Sequence, residues 1–187
     1  MRYIKIYGLP RSGTNFLKCM LEANFSELRA LQNIGGAKHN KIDFHHRTDL
    51  SAVESDLTIG ELNEINLQFK SNQVPYFFIY KHPAAWLKSY ARYKNEVVDN
   101  NYIEKNMGIY NMLNHHWALH CHPVNYHRLI QSPVQLLTEI YNKYNLVKSE
   151  KFPVTIYNTT KRGGDMAYTS LITKKNFNPQ YYNQRQY

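Results

Sequence analysis

Cysteine is nearly absent from this 187-residue chain; the two present, Cys19 and Cys121, lie far apart with neither CxxC nor metal-ligand spacing. That scarcity argues against a disulfide framework, and because each sits in a helix-like apolar pattern, two buried free thiols are expected. Long apolar runs are also missing: none approaches the length of a bilayer span, and the N-terminus enters a strand pattern at once without an apolar signal region. A soluble, cytoplasmic protein with no membrane partner is the expectation. With no internal repeat and no linker-like stretch, the length suits one domain over residues 1–187.

Acidic residues are few beside basic ones, 14 Asp+Glu against 23 Lys+Arg, for a formal net charge of +9. Such a surface attracts polyanions, whether nucleotides, nucleic acid or an acidic membrane, and charge alone does not choose among them. The bases are dispersed rather than gathered in a block, so nucleic acid is not the expected partner. Apolar residues make up 43% and aromatics 14% of the chain, which excludes a disordered one.

One more absence concerns the first loop. "GLPRSGTNFL" has the look of a phosphate-binding loop, yet it lacks the Gly-Lys-Ser/Thr ending of ordinary nucleotide-binding P-loops. Residues 3–7, "YIKIY", alternate and predict a strand. Gly8 and Pro10 break it before a Ser/Thr-led helix with Phe16, Leu17, Met20 and Leu21 on one face. Backbone N–H groups and the positive end of the helix dipole make such a loop a site for phosphate or sulfate. Gly8 and Gly13 permit close turning, Ser12, Thr14 and Asn15 add donors, and Arg11 adds a permanent charge. A plain Gly/Pro turn with a Ser-type cap explains the same residues.

Residues 74–80, "VPYFFIY", are a continuous apolar run suited to a buried parallel strand, and "HPAAWLKSYARYKNEV" follows with Pro83 near a helix start. Lys81 then stands at a strand end, where ligands bind in open α/β sheets, and Ser89 lies about two turns into the helix. Elsewhere, 33–49 reads as a loop with room for a short strand, 50–69 as weakly helical, 107–121 as a helix and "VNYHRLI" as a strand. "SPVQLLTEIYNKYNL" reads as an amphipathic helix with a capping Ser, "FPVTIYN" as a short strand, and the remainder as loop and terminal segment. Alternating strands and helices predict a three-layer α/β/α fold around a central parallel sheet. A late basic loop, "KRGGD" at 161–165, can wrap a phosphate or be an exposed turn.

Taken in order, "LPRSGTNFL", "YKHPAAWLKSY" and "KRGGD" resemble the sulfotransferase family that uses 3′-phosphoadenosine 5′-phosphosulfate (PAPS). The intervening "VNYHRLIQSPVQLLTEIYNKYNL" resembles that family too, so the likeness covers most of the chain. Three positions depart from the family pattern. Lys81 replaces an Arg, His127 a Glu, and the late loop has Lys161, Arg162 and Gly163 in swapped order with its second Gly immediately after.

The resemblance implies a sulfotransferase-like P-loop fold and transfer of a sulfuryl group from PAPS to a hydroxyl or amine, releasing the 3′,5′-bisphosphate PAP, with no metal. It implies Arg11, Ser12, Gly13, Thr14 and Asn15 around the 5′-phosphosulfate, and Lys81, Ser89, Lys161, Arg162 and Gly163 at the 3′-phosphate. Arg11 is also expected at the leaving oxygen. The base is sought in "GGAKHNKIDFHH": His39 is chosen, with Lys38 assisting the sulfuryl oxygens, and His45, His46 and Glu61 compete. A small-molecule or carbohydrate acceptor is expected, of unspecified identity. A nucleotide kinase or NTPase is the rival enzyme, disfavoured by the missing loop Lys and by a cation ending the second strand. A non-catalytic basic nucleotide- or nucleic-acid-binding protein is the other rival. In "NHHWALHCHP", His116 and His120 with Cys121 or His122 have metal-ligand spacing, but Trp117 and Leu119 point to ordinary packing.

Overall fold

A computed structural model describes residues 1–42 and 57–153 in full and two further strands, Asn158–Lys161 and Tyr168–Ile172, by their backbone. The alternating segment at the N-terminus forms β1 (Arg2–Tyr7), and the helix after its loop is α1 (Thr14–Asn24). The chain continues through β2 (Phe25–Ser26), β3 (Leu28–Leu31), α2 (Ile59–Lys70), β4 (Tyr76–Tyr80) and α3 (Pro83–Lys94). Then come α4 (Asn100–Ala118), β5 (His122–Asn125), α5 (Tyr126–Gln131), α6 (Pro133–Tyr144), β6 (Val147–Lys148), β7 (Asn158–Lys161) and β8 (Tyr168–Ile172).

Four strands make one wholly parallel sheet in the order β3-β1-β4-β5. Parallel strands need cover on both faces, and the side chains divide accordingly. Ile4, Ile6, Phe77, Ile79 and Val124 pack against Phe16, Leu17 and Met20 of α1 and against Leu129, Leu136 and Ile140 of α5 and α6. On the other face Tyr7 and Phe78 meet Trp86 and Leu87 of α3 and Leu113 and Trp117 of α4, while Tyr3 and Leu31 meet Ile65 and Phe69 of α2. The result is the expected α/β/α sandwich. Among the described residues no helix is long and apolar enough to cross a membrane.

The strand order positions the site. From β1 the chain steps outward to β3, then returns to lay β4 on the opposite side of β1. The connections leaving β1 and β4 therefore diverge, which opens a crevice at the carboxyl ends of these two strands, the place where open α/β sheets bind ligands.

Several elements differ from the sequence reading, each for a local reason. "VNYHRLI" is not one strand: β5 ends at Asn125, whose side chain accepts from the amides of His127 and Arg128 and so caps α5. α1 is not Ser/Thr-capped; its N-cap is Gly13 in the left-handed region, φ 105°. Ser132 is the N-cap of α6, but its side chain makes no capping bond. The helix expected over 107–121 starts earlier, at Asn100, because Asp99 accepts from the Tyr102 amide. α2 starts at Ile59 behind a Thr58/Glu61 capping box, and residues 50–56 of the helical stretch lie outside the described residues. The short edge strand β3 was not anticipated, nor was β8 in the terminal segment. Of "FPVTIYN", 154–157 lie outside the described residues and β7 begins at Asn158. Both cysteines are free, Cys121 buried and Cys19 half-buried.

Leu17, fully buried between α1 and the sheet, tests this packing. Leu17→Ala is expected to cost about 3 kcal/mol in urea unfolding through lost burial and a residual cavity; a cost below about 1 kcal/mol would contradict a tightly packed core at this position.

Candidate active site at the β1–β4 crevice

The loop from Gly8 to Gly13 turns sharply with Arg11 at φ 68° and Gly13 at φ 105°. Two glycines make this possible for different reasons. At Gly8 a Cβ would lie 2.7 Å from the Ile79 carbonyl oxygen and 2.6 Å from Ser12 Oγ, so only hydrogen fits between the loop and β4. At Gly13 a Cβ would meet the Tyr126 ring at 2.5 Å, in a backbone region that side chains resist. α3 holds the loop from outside, its Trp86 indole Nε1 donating to the Pro10 carbonyl at 2.8 Å.

The loop ends at the N-terminus of α1, where unpaired N–H groups and the helix dipole favour an anion. Ser12 Oγ is buried there without a hydrogen-bond partner among the described residues. Arg11 is exposed and lies over the Tyr93 ring, 5.5 Å from its centroid. Tyr93 continues a stacked series, Trp86 on Tyr90 and Tyr90 on Tyr93.

Across the crevice Lys81 comes directly after the last residue of β4, with its ammonium 4.1 Å from the centre of the Tyr126 ring. Burial first, and the Arg11 charge second, push its pKa down from 10.5 to about 8. Among the described residues no carboxylate pairs with Arg11 or Lys81. Two cations drawn together without an acid favour an anion brought from outside. Ser89 is half-buried about two turns into α3. Lys161 ends β7; Arg162 and Gly163 lie outside the described residues.

The 36–42 strap brings the third set of groups. The Gly8 amide donates to the Lys38 carbonyl at 2.9 Å, and His39 Nδ1 bonds the Gly8 carbonyl. A carbonyl only accepts, so Nδ1 carries the hydrogen and Nε2 the lone pair of the neutral ring. Burial, opposed by that bond but aided by Lys38 and Lys5, holds the His39 pKa below 6.5. Lys38 Nζ donates to Asn15 Oδ1 at 3.1 Å and to Gln32 Oε1 at 2.8 Å, tying the strap to α1.

α4 anchors both loops from behind. Tyr110 OH donates to the Lys81 carbonyl at 2.5 Å, Trp117 Nε1 to the Asn40 carbonyl at 3.1 Å, and the Ile42 amide to His116 Nε2 at 3.1 Å. His116 thus spends on the fold the nitrogen that the metal reading would need. Glu61 is occupied in the α2 capping box and in an ion pair with Arg29 at 3.6 Å. His45 and His46 lie outside the described residues.

Of the residues singled out from sequence, Arg11 to Asn15, Lys38, His39 and Lys81 therefore converge on one crevice. Tyr126, Tyr110 and Trp86 were missed as parts of it; nothing in their spacing marks them so, since their partners are remote in sequence. Two clefts of about 480 and 420 Å³ open near the starts of the strands, at Tyr76, His122 and Lys143 and at Arg2 and Tyr3. Neither is lined by the loop residues, and donors and cations converge at the other end of the sheet. Compared with known proteins, the chain matches no family model, no curated protein and no solved structure.

Gly13→Ala tests the close contact beneath Lys81. The left-handed backbone alone costs about 1–2 kcal/mol, lowering Tm by roughly 3–6 °C, and displacement of Tyr126 is expected to weaken anion binding as well. An unchanged Tm and unchanged phosphate affinity would show that the loop tolerates a side chain there.

Proposed function

We propose that this protein transfers a sulfuryl group from PAPS to a hydroxyl or amine of an acceptor. The observation that carries the reading is the pair Arg11 and Lys81, without a facing carboxylate among the described residues, at the α1 N-terminus beside a neutral histidine. The sequence resemblance supplies the chemistry that such a constellation suits. A phosphosulfate fits the donor set: the first amides of α1, the Ser12 hydroxyl, Asn15 and Arg11 at one end, with Lys81 and Ser89 for the 3′-phosphate, to which the resemblance adds the late basic loop.

In the proposed step His39 Nε2 accepts the proton of the acceptor while its oxygen or nitrogen forms a bond to sulfur. The bond from sulfur to the bridging oxygen breaks, and PAP leaves with that electron pair. Arg11 stabilises charge developing on the bridging oxygen and Lys38 the equatorial sulfuryl oxygens. By analogy with phosphoryl transfer, catalysis is chiefly positioning and preorganised charge. His39 suits its part because it is neutral near pH 7 and its ring is oriented by Gly8.

The direct test is ligand-induced stabilisation. PAP is expected to raise Tm clearly and ATP with Mg²⁺ weakly or not at all; equal stabilisation by both would sink the reading. Arg11→Ala is expected to abolish the PAP response.

Lys81 adds a pH signature. Between about pH 7 and 8 Lys81 is largely protonated and the 3′-phosphate, whose second pKa is about 6, is already a dianion, so PAP affinity should vary little. A bound 3′-phosphate favours the ammonium, so above about pH 8 binding must take up a proton and affinity falls by up to about tenfold per pH unit. Lys81→Met should bind more weakly and lose that slope. A slope that survives in Lys81→Met would assign it to another group.

A further inference from the structure

The sequence alternation of "YIKIY" sets Lys5 among the side chains of a central strand, between β3 and β4 in register with Leu31 and Tyr76. There it is 0% exposed, on a sheet face covered by helices and the 32–36 turn. Its ammonium donates to the carbonyl oxygens of Gln32 at 2.8 Å, Ile34 at 2.7 Å and Gly36, and lies 5.0 Å from the Tyr7 ring centre. Three carbonyls can accept but not donate, so all three N–H bonds of a charged –NH3⁺ are engaged; a neutral amine would leave one lone pair facing another. A buried ammonium is costly unless its donors are satisfied, and here they are satisfied by backbone brought from some thirty residues away.

Those carbonyls belong to the turn that leads directly into Lys38 and His39. We propose that Lys5 is a positioning residue that fixes the 32–36 turn from beneath the sheet and so sets Lys38 and His39 against the loop at Gly8. Two of its neighbours show the same coupling: Tyr7 OH donates to the Gly35 carbonyl at 3.2 Å, and the Gly35 site admits no Cβ, which would lie 2.6 Å from the Phe69 ring. The charge has a second effect through space. His39 faces Lys38 on its own strap and Lys5 on β1, with the Gly8 carbonyl on Nδ1, and both cations oppose its protonation. Removing the Lys5 charge therefore loosens the strap and makes His39 easier to protonate.

The variant is Lys5→Met, which keeps the apolar stem and deletes the three donors. Its kinetic readout rests on the sulfuryl-transfer reading, whereas its NMR readout does not. PAP is expected to stabilise Lys5→Met as it does the parent, with kcat down about ten- to a hundredfold from strap misplacement and KM for PAPS little changed. The His39 imidazole, followed by NMR, should titrate at higher pH than in the parent, and the acid limb of the kcat profile should move with it. If the parent shows no PAPS-dependent transfer, the functional reading fails while the His39 titration still decides the role of Lys5. An unchanged His39 titration, or loss of the PAP response together with kcat, would overturn the proposal and leave Lys5 with a general structural role. Should Lys5→Met not fold, the parent decides: the Lys5 ammonium must appear by ¹⁵N NMR as a protonated group protected from exchange, and His39 must titrate below 6.5. A rapidly exchanging Lys5 or a His39 at or above 6.5 would equally overturn it.

Discussion

Both backbone hydrogen-bonding groups of Gly8 are spent on the same short strap, its amide on the Lys38 carbonyl and its carbonyl on the His39 ring. That one residue is where the Gly8–Gly13 loop, the 36–42 strap and β4 meet. It must be glycine because β4 leaves no room for a Cβ. A change that separates Gly8 from the strap would release His39, unseat Lys38 from Asn15 and open the turn below them together. The rest of the site is arranged around this junction: Trp86 pins the outer side of the loop, and Tyr126 supports Lys81 across the crevice and touches Gly13 beneath it.

The electrostatics of the crevice have a direction. Lys81 and Arg11 repel each other, and burial adds to the cost of the Lys81 charge. Aromatic faces partly offset this, Tyr126 under Lys81 and Tyr93 under Arg11, as cation–π contacts do. Rings are weaker partners than carboxylates and are easily exchanged for a phosphate or sulfate. A carboxylate in their place would stabilise the free protein more but compete with the ligand. His39 obeys the opposite logic: burial first, with Lys38 and Lys5 adding to it, keeps it uncharged, and an uncharged imidazole is the form able to take a proton.

Much of this was legible in the chain. The strand–loop–helix units around "GLPRSGTNFL" and "YKHPAAWLKSY" come from apolar run length, Gly/Pro punctuation and helical spacing, and they place Arg11 and Lys81 at strand ends. The features that stayed hidden depended on distant partners. Four residues, "LRAL", carry no strand signal of their own, and β3 exists because β1 offers it an edge. "HPVN" is a strand despite Pro123 because it pairs with β4, and it ends early because Asn125 caps α5. Lys5 is the sharpest case. Alternation alone sets a lysine on a polar face, and only the return of residues 32–36 across the sheet turns that position into a buried one.

The long helix α4 supplies none of Arg11, Lys81 and His39, yet it touches both sides of the crevice. Tyr110 holds the backbone that carries Lys81, and Trp117, seven residues on, holds the strap beyond His39. Seven residues of α-helix advance about 10 Å along the axis, a length that the helix itself does not let vary. The separation between Lys81 and His39 is thus gauged by a rigid rod rather than by two loops. Bringing Lys81 and His39 nearer together or farther apart would require deforming α4, not merely a loop.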